Sequence, residues 1–144
     1  MELEKLLRRY GATAFSVSSD YDAGTITVAF RIPDTPGQPA NIPVRLAANV
    51  QQVAEALYGP LRKGQSWSNS GREQAERVAW RHLVLWVDAA LCAAGAGLQS
   101  ISEAFFAHVV VKAEDGTHRR VIEHLGFLAG NGNDWKALLP PPKP

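Results

Sequence analysis

TAFSVSSDYDAGTITVAFRI, residues 13–32, decides the fold. Phe15 and Val17 alternate with Ala14, Ser16 and Ser18, and Ile26, Val28 and Phe30 alternate with Thr25, Thr27 and Ala29. A period of two marks strands with one apolar face. Between the runs, Asp20, Asp22 and Gly24 supply turn chemistry, with Gly24 free to take a positive φ. Two alternating runs around such a loop predict an antiparallel hairpin. Ile32 extends the second run before Pro33 stops it.

Upstream, Leu3, Leu6, Leu7 and Tyr10 recur at helical spacing, so residues 2–10 read as a short helix closed by Gly11. Downstream, three prolines in residues 33–39 make a loop. Residues 42–47 are a third strand, with Val44 and Leu46 on one face and Pro43 marking an edge or strand end. Asn49 is an N-cap for a helix over residues 50–58, and Gly59-Pro60 ends it. Residues 61–70 are a polar connection whose large apolar residue is Trp67.

The longest element is a helix over residues 71–94, with Ser70 as cap and Glu73 completing a capping box. Trp80, Leu83, Val84, Val87, Leu91 and Ala94 form one apolar stripe, and Trp86, Ala89, Ala90 and Ala93 widen it. A helix apolar around most of its circumference is expected at the centre of the fold, packed on more than one side. Ser100 and Glu103 form a second capping box for a short helix carrying Ile101, Ala104, Phe105 and His108. Residues 109–111 read as strand, Asp115-Gly116 as a turn, and residues 121–128 as helix. Whether residues 109–111 join the first sheet stays open.

Strands followed by helices indicate an α+β fold: a small antiparallel sheet, hairpin plus third strand, packed on a long central helix with shorter helices. One domain is expected over residues 1–136, followed by a Pro-rich C-terminal tail over residues 137–144.

Charge narrows the function classes. Fifteen Lys and Arg against fourteen Asp and Glu leave a formal charge of +1, which excludes indiscriminate polyanion binding. A single cysteine excludes a disulfide scaffold and a Cys-based zinc site. His82, His108, His118 and His124 lack metal-ligand spacing, so no metal and no cofactor are expected. Cys92 reads as a buried, inert thiol. No uninterrupted apolar run of spanning length is present, and the amino end is unlike a secretory signal. A cytoplasmic protein is therefore expected. No acid, base or nucleophile constellation is assembled, so no catalytic residue is named. An enzyme would need a cleft uniting scattered residues such as Asp20, Asp22 and His108.

The most uneven charge is local. Arg62, Lys63, Arg72, Arg77 and Arg81 surround Trp67, opposed by Glu73 and Glu76. Basic groups interleaved with an aromatic ring suit single-stranded nucleic acid through phosphate contact and base stacking. The alternative for the same residues is a solvated helix face with Glu73 paired to Arg77.

Two segments carry a family resemblance: residues 6–15, and the stretch with Trp80-Arg81, Leu83-Val84-Leu85, Gly97-Leu98, Glu103, Phe105-Phe106, Asp115-Gly116-Thr117 and Leu138-Leu139-Pro140. The chain resembles a family of small uncharacterised proteins of bacteriophages, plasmids and related bacterial loci. Asp88, His118 and Arg119 depart from the family pattern. The resemblance implies a mobile-element setting among genes for DNA replication and recombination, with no catalytic residues to carry over. Two functions follow as expectations. One is a non-enzymatic phage-type accessory protein binding single-stranded nucleic acid through the basic group. The other is a protein–protein interaction module modulating host or phage machinery, or a homo-oligomer.

Overall fold

The computed structural model describes residues 2–35 and 37–124. Helix α1 (Glu2–Arg9) leads into β1 (Ala14–Asp20), β2 (Thr25–Ile32) and β3 (Ile42–Asn49). Helix α2 (Val50–Tyr58) and the long helix α3 (Asn69–Gly95) follow. Next come α4 (Ile101–Ala104), a 3-10 turn (Phe106–His108), and strands β4 (Val110–Lys112) and β5 (His118–Arg120). The architecture is α+β, as the alternating and helical periods predict.

The hairpin and the third strand form one antiparallel sheet in the order β1-β2-β3. Its register pairs Phe15 with Phe30 and Val17 with Val28, then Val28 with Leu46 and Phe30 with Val44. Directly paired residues share a face, so these side chains line the inner side. Ser16, Ser18, Thr25 and Thr27 line the outer side. Alternation of apolar and polar residues thus becomes one packed and one solvated surface. β1 is an edge strand, and beyond its first two residues it is exposed, Val17 included. Pro43 stands on β3, the opposite edge, where a missing N–H breaks no ladder.

The core joins Leu3, Leu6 and Leu7 of α1 to the inner sheet residues, to Ala75, Ala79, Leu83, Val87, Ala90 and Leu91 of α3, and to Ile101 and Phe105. Phe105 is fully buried and meets the edge of Phe30, ring centroids 5.6 Å apart. No polar or charged residue is buried among the described residues. Gly11, at φ +93°, lets the chain turn from α1 into β1. A Cβ there would also lie 3.0 Å from Pro33 Cγ, too close for an ordinary contact.

Local signals set several boundaries. Asn49 accepts from Gln52 N and caps α2, and Ser100 forms the capping box with Glu103. The cap of α3 differs from the expectation. Ser68, not Ser70, takes the extended conformation and accepts from Gly71 N at 3.1 Å, while Ser70 lies inside the first turn. Both serines satisfy the residue preference, and the extended backbone at Ser68 decides between them. β3 also runs two residues past its expected end, because Ala48 and Asn49 continue the ladder against Ile26 and Thr25.

The second difference concerns α3 itself. Its described neighbours bury one side only, not several. A 27-residue helix is ~40 Å long, and a three-stranded sheet with short helices beside it covers a single stripe.

Residues 109–111 reach the first sheet through one bridge, Val44 to Val109, and β4 pairs instead with β5. The sequence reading contains no β5: His118-Arg119-Arg120 lacks strand-forming side chains, and its pairing follows from the Asp115-Gly116 turn. Residues 121–124 are helical, in line with the expected helix; the rest of that helix and the Pro-rich tail lie outside the described residues.

Candidate functional site

The β1–β2 turn and the start of α2 are tied together, because Val50 N donates to Gly24 O at 2.7 Å. Asp20 Oδ1 accepts from the amides of Asp22 and Ala23, each at 3.0 Å, and so serves the turn. Beside this junction lies a pocket of about 190 Å³, lined by Asp20, Asp22, Gln51, Trp67, Arg72 and Glu76 among others. Arg72 and Glu76 face it because they continue the stripe of Ala79, Leu83 and Val87 toward the helix start, beyond the reach of the core. Trp67 is half-buried, 5.9 Å from the Tyr58 ring, and its indole N–H is buried with no acceptor among the described residues.

Of the six basic and aromatic residues singled out in the sequence, this pocket unites Trp67 and Arg72. Arg62 and Lys63 are exposed on the preceding connection. Arg77 and Arg81 are elsewhere. Five and nine residues from Arg72 correspond to rotations of about 140° and 180° around a helix, so they stand on its outward side. Arg77 donates to Gln74 Oε1 from Nη2 at 2.8 Å and from Nε at 3.2 Å, rather than pairing with Glu73. The six residues therefore do not form one surface: Trp67 and Arg72 share the pocket, Arg62 and Lys63 precede it on the connection, and Arg77 and Arg81 stand on the outward side of α3. That division was legible in the helical phase of the sequence.

A second surface was not foreseen. Along α3 an open groove of about 510 Å³ runs between Val78, His82 and Trp86 and the α2 residues Val53 and Leu57, reaching Ala48 at the end of β3. Leu85 is 57% exposed, Trp86 39% and Leu57 46%. Ala89 and Cys92 are exposed on the same side. Cys92 thus corrects the expectation of a buried thiol: it points outward and donates to Asp88 Oδ1, 3.6 Å away. An 18-residue window of α3 has a mean hydropathy of 1.2, so length and composition alone would let it cross a membrane, and only 28% of it is buried. The missing signal was a second repeat. Val78, His82, Leu85, Ala89 and Cys92 are spaced alternately four and three apart, the period of a helix–helix seam.

The third cluster ties the second hairpin to the first sheet. Glu123 accepts from Arg120 Nε at 2.6 Å and from Arg45 of β3 at 3.3 Å. Partial burial works to raise the Glu123 carboxyl, but the hydrogen bonds from Arg120, with the charges of Arg120 and Arg45, hold it below its ordinary value. Arg120 also lies 3.3 Å from His108 Nδ1, and the His108 ring meets Trp86 edge-on at 5.0 Å. Burial, then the Arg120 charge, lowers the His108 pKa. In the β4–β5 turn, Asp115 is lowered by hydrogen bonds from the Thr117 hydroxyl and amide and by Arg119.

This placement separates His108 from Asp20 and Asp22, so the carboxylates and imidazole that a cleft would have to unite stand in different sites. Among the described residues no three His, Cys, Asp or Glu side chains gather as metal ligands. No protein-family model, curated protein or solved structure matches the chain.

Proposed function

We propose that this chain acts by protein–protein contact, and that its working surface is the outer side of α3 with the groove against α2. The observation that carries this reading is an apolar helix face left open. Leu85 and Trp86 are exposed on a helix whose other side is fully used, and the groove beside them has no charged lining residue. Contiguous apolar surface of this kind marks interaction sites in soluble folds. A membrane span is a poorer account, because Arg81 and Asp88 would enter the hydrocarbon with it. A mobile-element accessory protein, the setting that the family resemblance implies, would use such a surface on host or phage machinery.

The test is affinity capture with the whole chain and with Leu85→Glu, the bound species being identified by mass. Residue 85 is exposed, so the variant keeps its fold, checked by circular dichroism. The wild type is expected to retain a stoichiometric species, itself or another protein, that the variant loses. Identical capture by both would overturn the reading.

A second reading has its own observation, the union of Trp67 and Arg72 in one pocket with Arg62 and Lys63 on the adjoining connection. Single-stranded nucleic acid would place a base against the indole and phosphates on the three cations. It ranks second because Asp20, Asp22 and Glu76 line the same pocket and Arg77 and Arg81 stand apart from it. Tryptophan fluorescence during oligonucleotide titration at two salt concentrations tests it. Three phosphate contacts would give a log–log salt slope of about −2. No binding at low salt would remove it.

A further inference from the structure

We propose that the partner of the outer α3 surface is a second copy of this chain, paired antiparallel through Val78, His82, Leu85 and Ala89. The proposal rests on the reading of that surface as a binding face and names its occupant. Three observations carry it.

The first is the period. Residues 78, 82, 85, 89 and 92 recur at intervals of four and three, so they form one straight seam on the helix. His82, Leu85, Ala89 and Cys92 of that seam are exposed and Val78 is half-buried. The core uses a different stripe, Ala75, Ala79, Leu83, Val87 and Ala90. One helix therefore carries two apolar seams, and the sheet occupies only one. Ala89 is small enough to let a second helix approach closely.

The second is charge. Arg81 and Asp88 lie seven residues apart, on the same flank of the seam. Neither forms an ion pair among the described residues, and Asp88 accepts only the weak Cys92 thiol bond. Seven residues span about 10 Å along a helix, too far for the two to pair within one chain. Across a two-fold axis passing between His82 and Leu85, Arg81 faces the partner's Asp88, and Asp88 faces the partner's Arg81. One unpaired cation and one unpaired anion become two ion pairs.

The third is register. In an antiparallel seam, that same axis sets Leu85 opposite the partner's His82 and Val78 opposite the partner's Ala89. Large residues meet smaller or flatter ones, and every layer is repeated by symmetry. Parallel pairing has no such match: Arg81 would then lie beside the partner's Trp86, and Asp88 beside the partner's Ala93, with no opposite charge for either.

Sedimentation equilibrium across a concentration series tests the pairing on the whole chain, with Arg81→Asp, Asp88→Arg and the double exchange. Both residues are exposed, and circular dichroism verifies each fold. The wild type is expected to shift from 15.6 kDa toward twice that mass. Each single exchange sets like charges opposite each other twice and is expected to weaken the dimer by about tenfold. The double exchange restores two opposite pairs and is expected to return the affinity to the wild-type range.

A mass of one chain at every concentration overturns the proposal, whatever else covers the seam. So does a dimer indifferent to the single exchanges, or one that the double exchange fails to rescue. A monomer whose Leu85→Glu variant still loses a different captured protein would refute self-pairing alone and leave the surface reading standing. A monomer with unchanged capture would refute both.

Discussion

The two sheets are held by different forces. The β1-β2-β3 sheet rests on a continuous apolar cluster with α1, α3 and Phe105, without one buried charge among the described residues. The β4–β5 hairpin is three residue pairs long and joins the first sheet through one bridge, Val44 to Val109, and the Arg45–Glu123–Arg120 contacts. Area burial neither titrates nor is screened by salt, whereas partly exposed ion pairs do titrate and are screened. One sheet should therefore define global stability and the other should open below it.

The most severe test is Leu46→Ala. Leu46 is fully buried opposite Val28, and truncating it should cost about 2–5 kcal/mol, read as a lowered urea midpoint for the whole chain. A loss under about 1 kcal/mol would mean that the site collapses onto the cavity and the core is less tightly fitted than its burial implies.

Ser68→Ala comes next. Removing the acceptor for Gly71 N should cost about 1 kcal/mol, while Ser70→Ala should leave the melting temperature nearly unchanged. Equal losses would move the start of α3 to Ser70.

Glu123→Gln acts on the other region. The Glu123 carboxylate is more than a third exposed, so global stability should fall by no more than about 1 kcal/mol. Amide exchange should instead accelerate in β4 and β5 and stay unchanged in β2. Uniform acceleration in both sheets would dissolve the contrast.

The smallest effect is with pH. His108 is lowered from 6.5, so the unfolded chain binds its proton first as the pH falls. The stability it contributes is complete above that value and declines as the pH drops below it. Thermal midpoints of the wild type should fall between about pH 7 and about pH 5.5, and His108→Gln should flatten the decline. A midpoint that rose on acidification would reverse the sign and place an unrecognised anion beside the imidazole.

Legibility followed the same division. The hairpin, Asn49 and the Ser100–Glu103 box were readable because each depends on residues two to four apart. Trp67 and Arg72 were named from charge and aromatic pattern, but the Asp20–Gly24 turn that completes their pocket is some fifty residues away in the chain. Cys92 was misplaced because its neighbours Leu91 and Ala93 are apolar, and only the phase of α3 against the sheet turns it outward.

By itself the sequence determined the α+β class, the strand period, most helix boundaries and the absence of a strong charge field, since these are local or summed properties. The tertiary structure decided which side of α3 is buried. That helix is apolar around much of its circumference, so its own pattern gives the sheet little preference. Packing into one core with α1, the inner sheet residues, Val50 and Ala54 of α2, and Phe105 selected the stripe of Ala79, Leu83 and Val87. The seam of Val78, Leu85 and Ala89 was left outside, where the chain's function is proposed to lie.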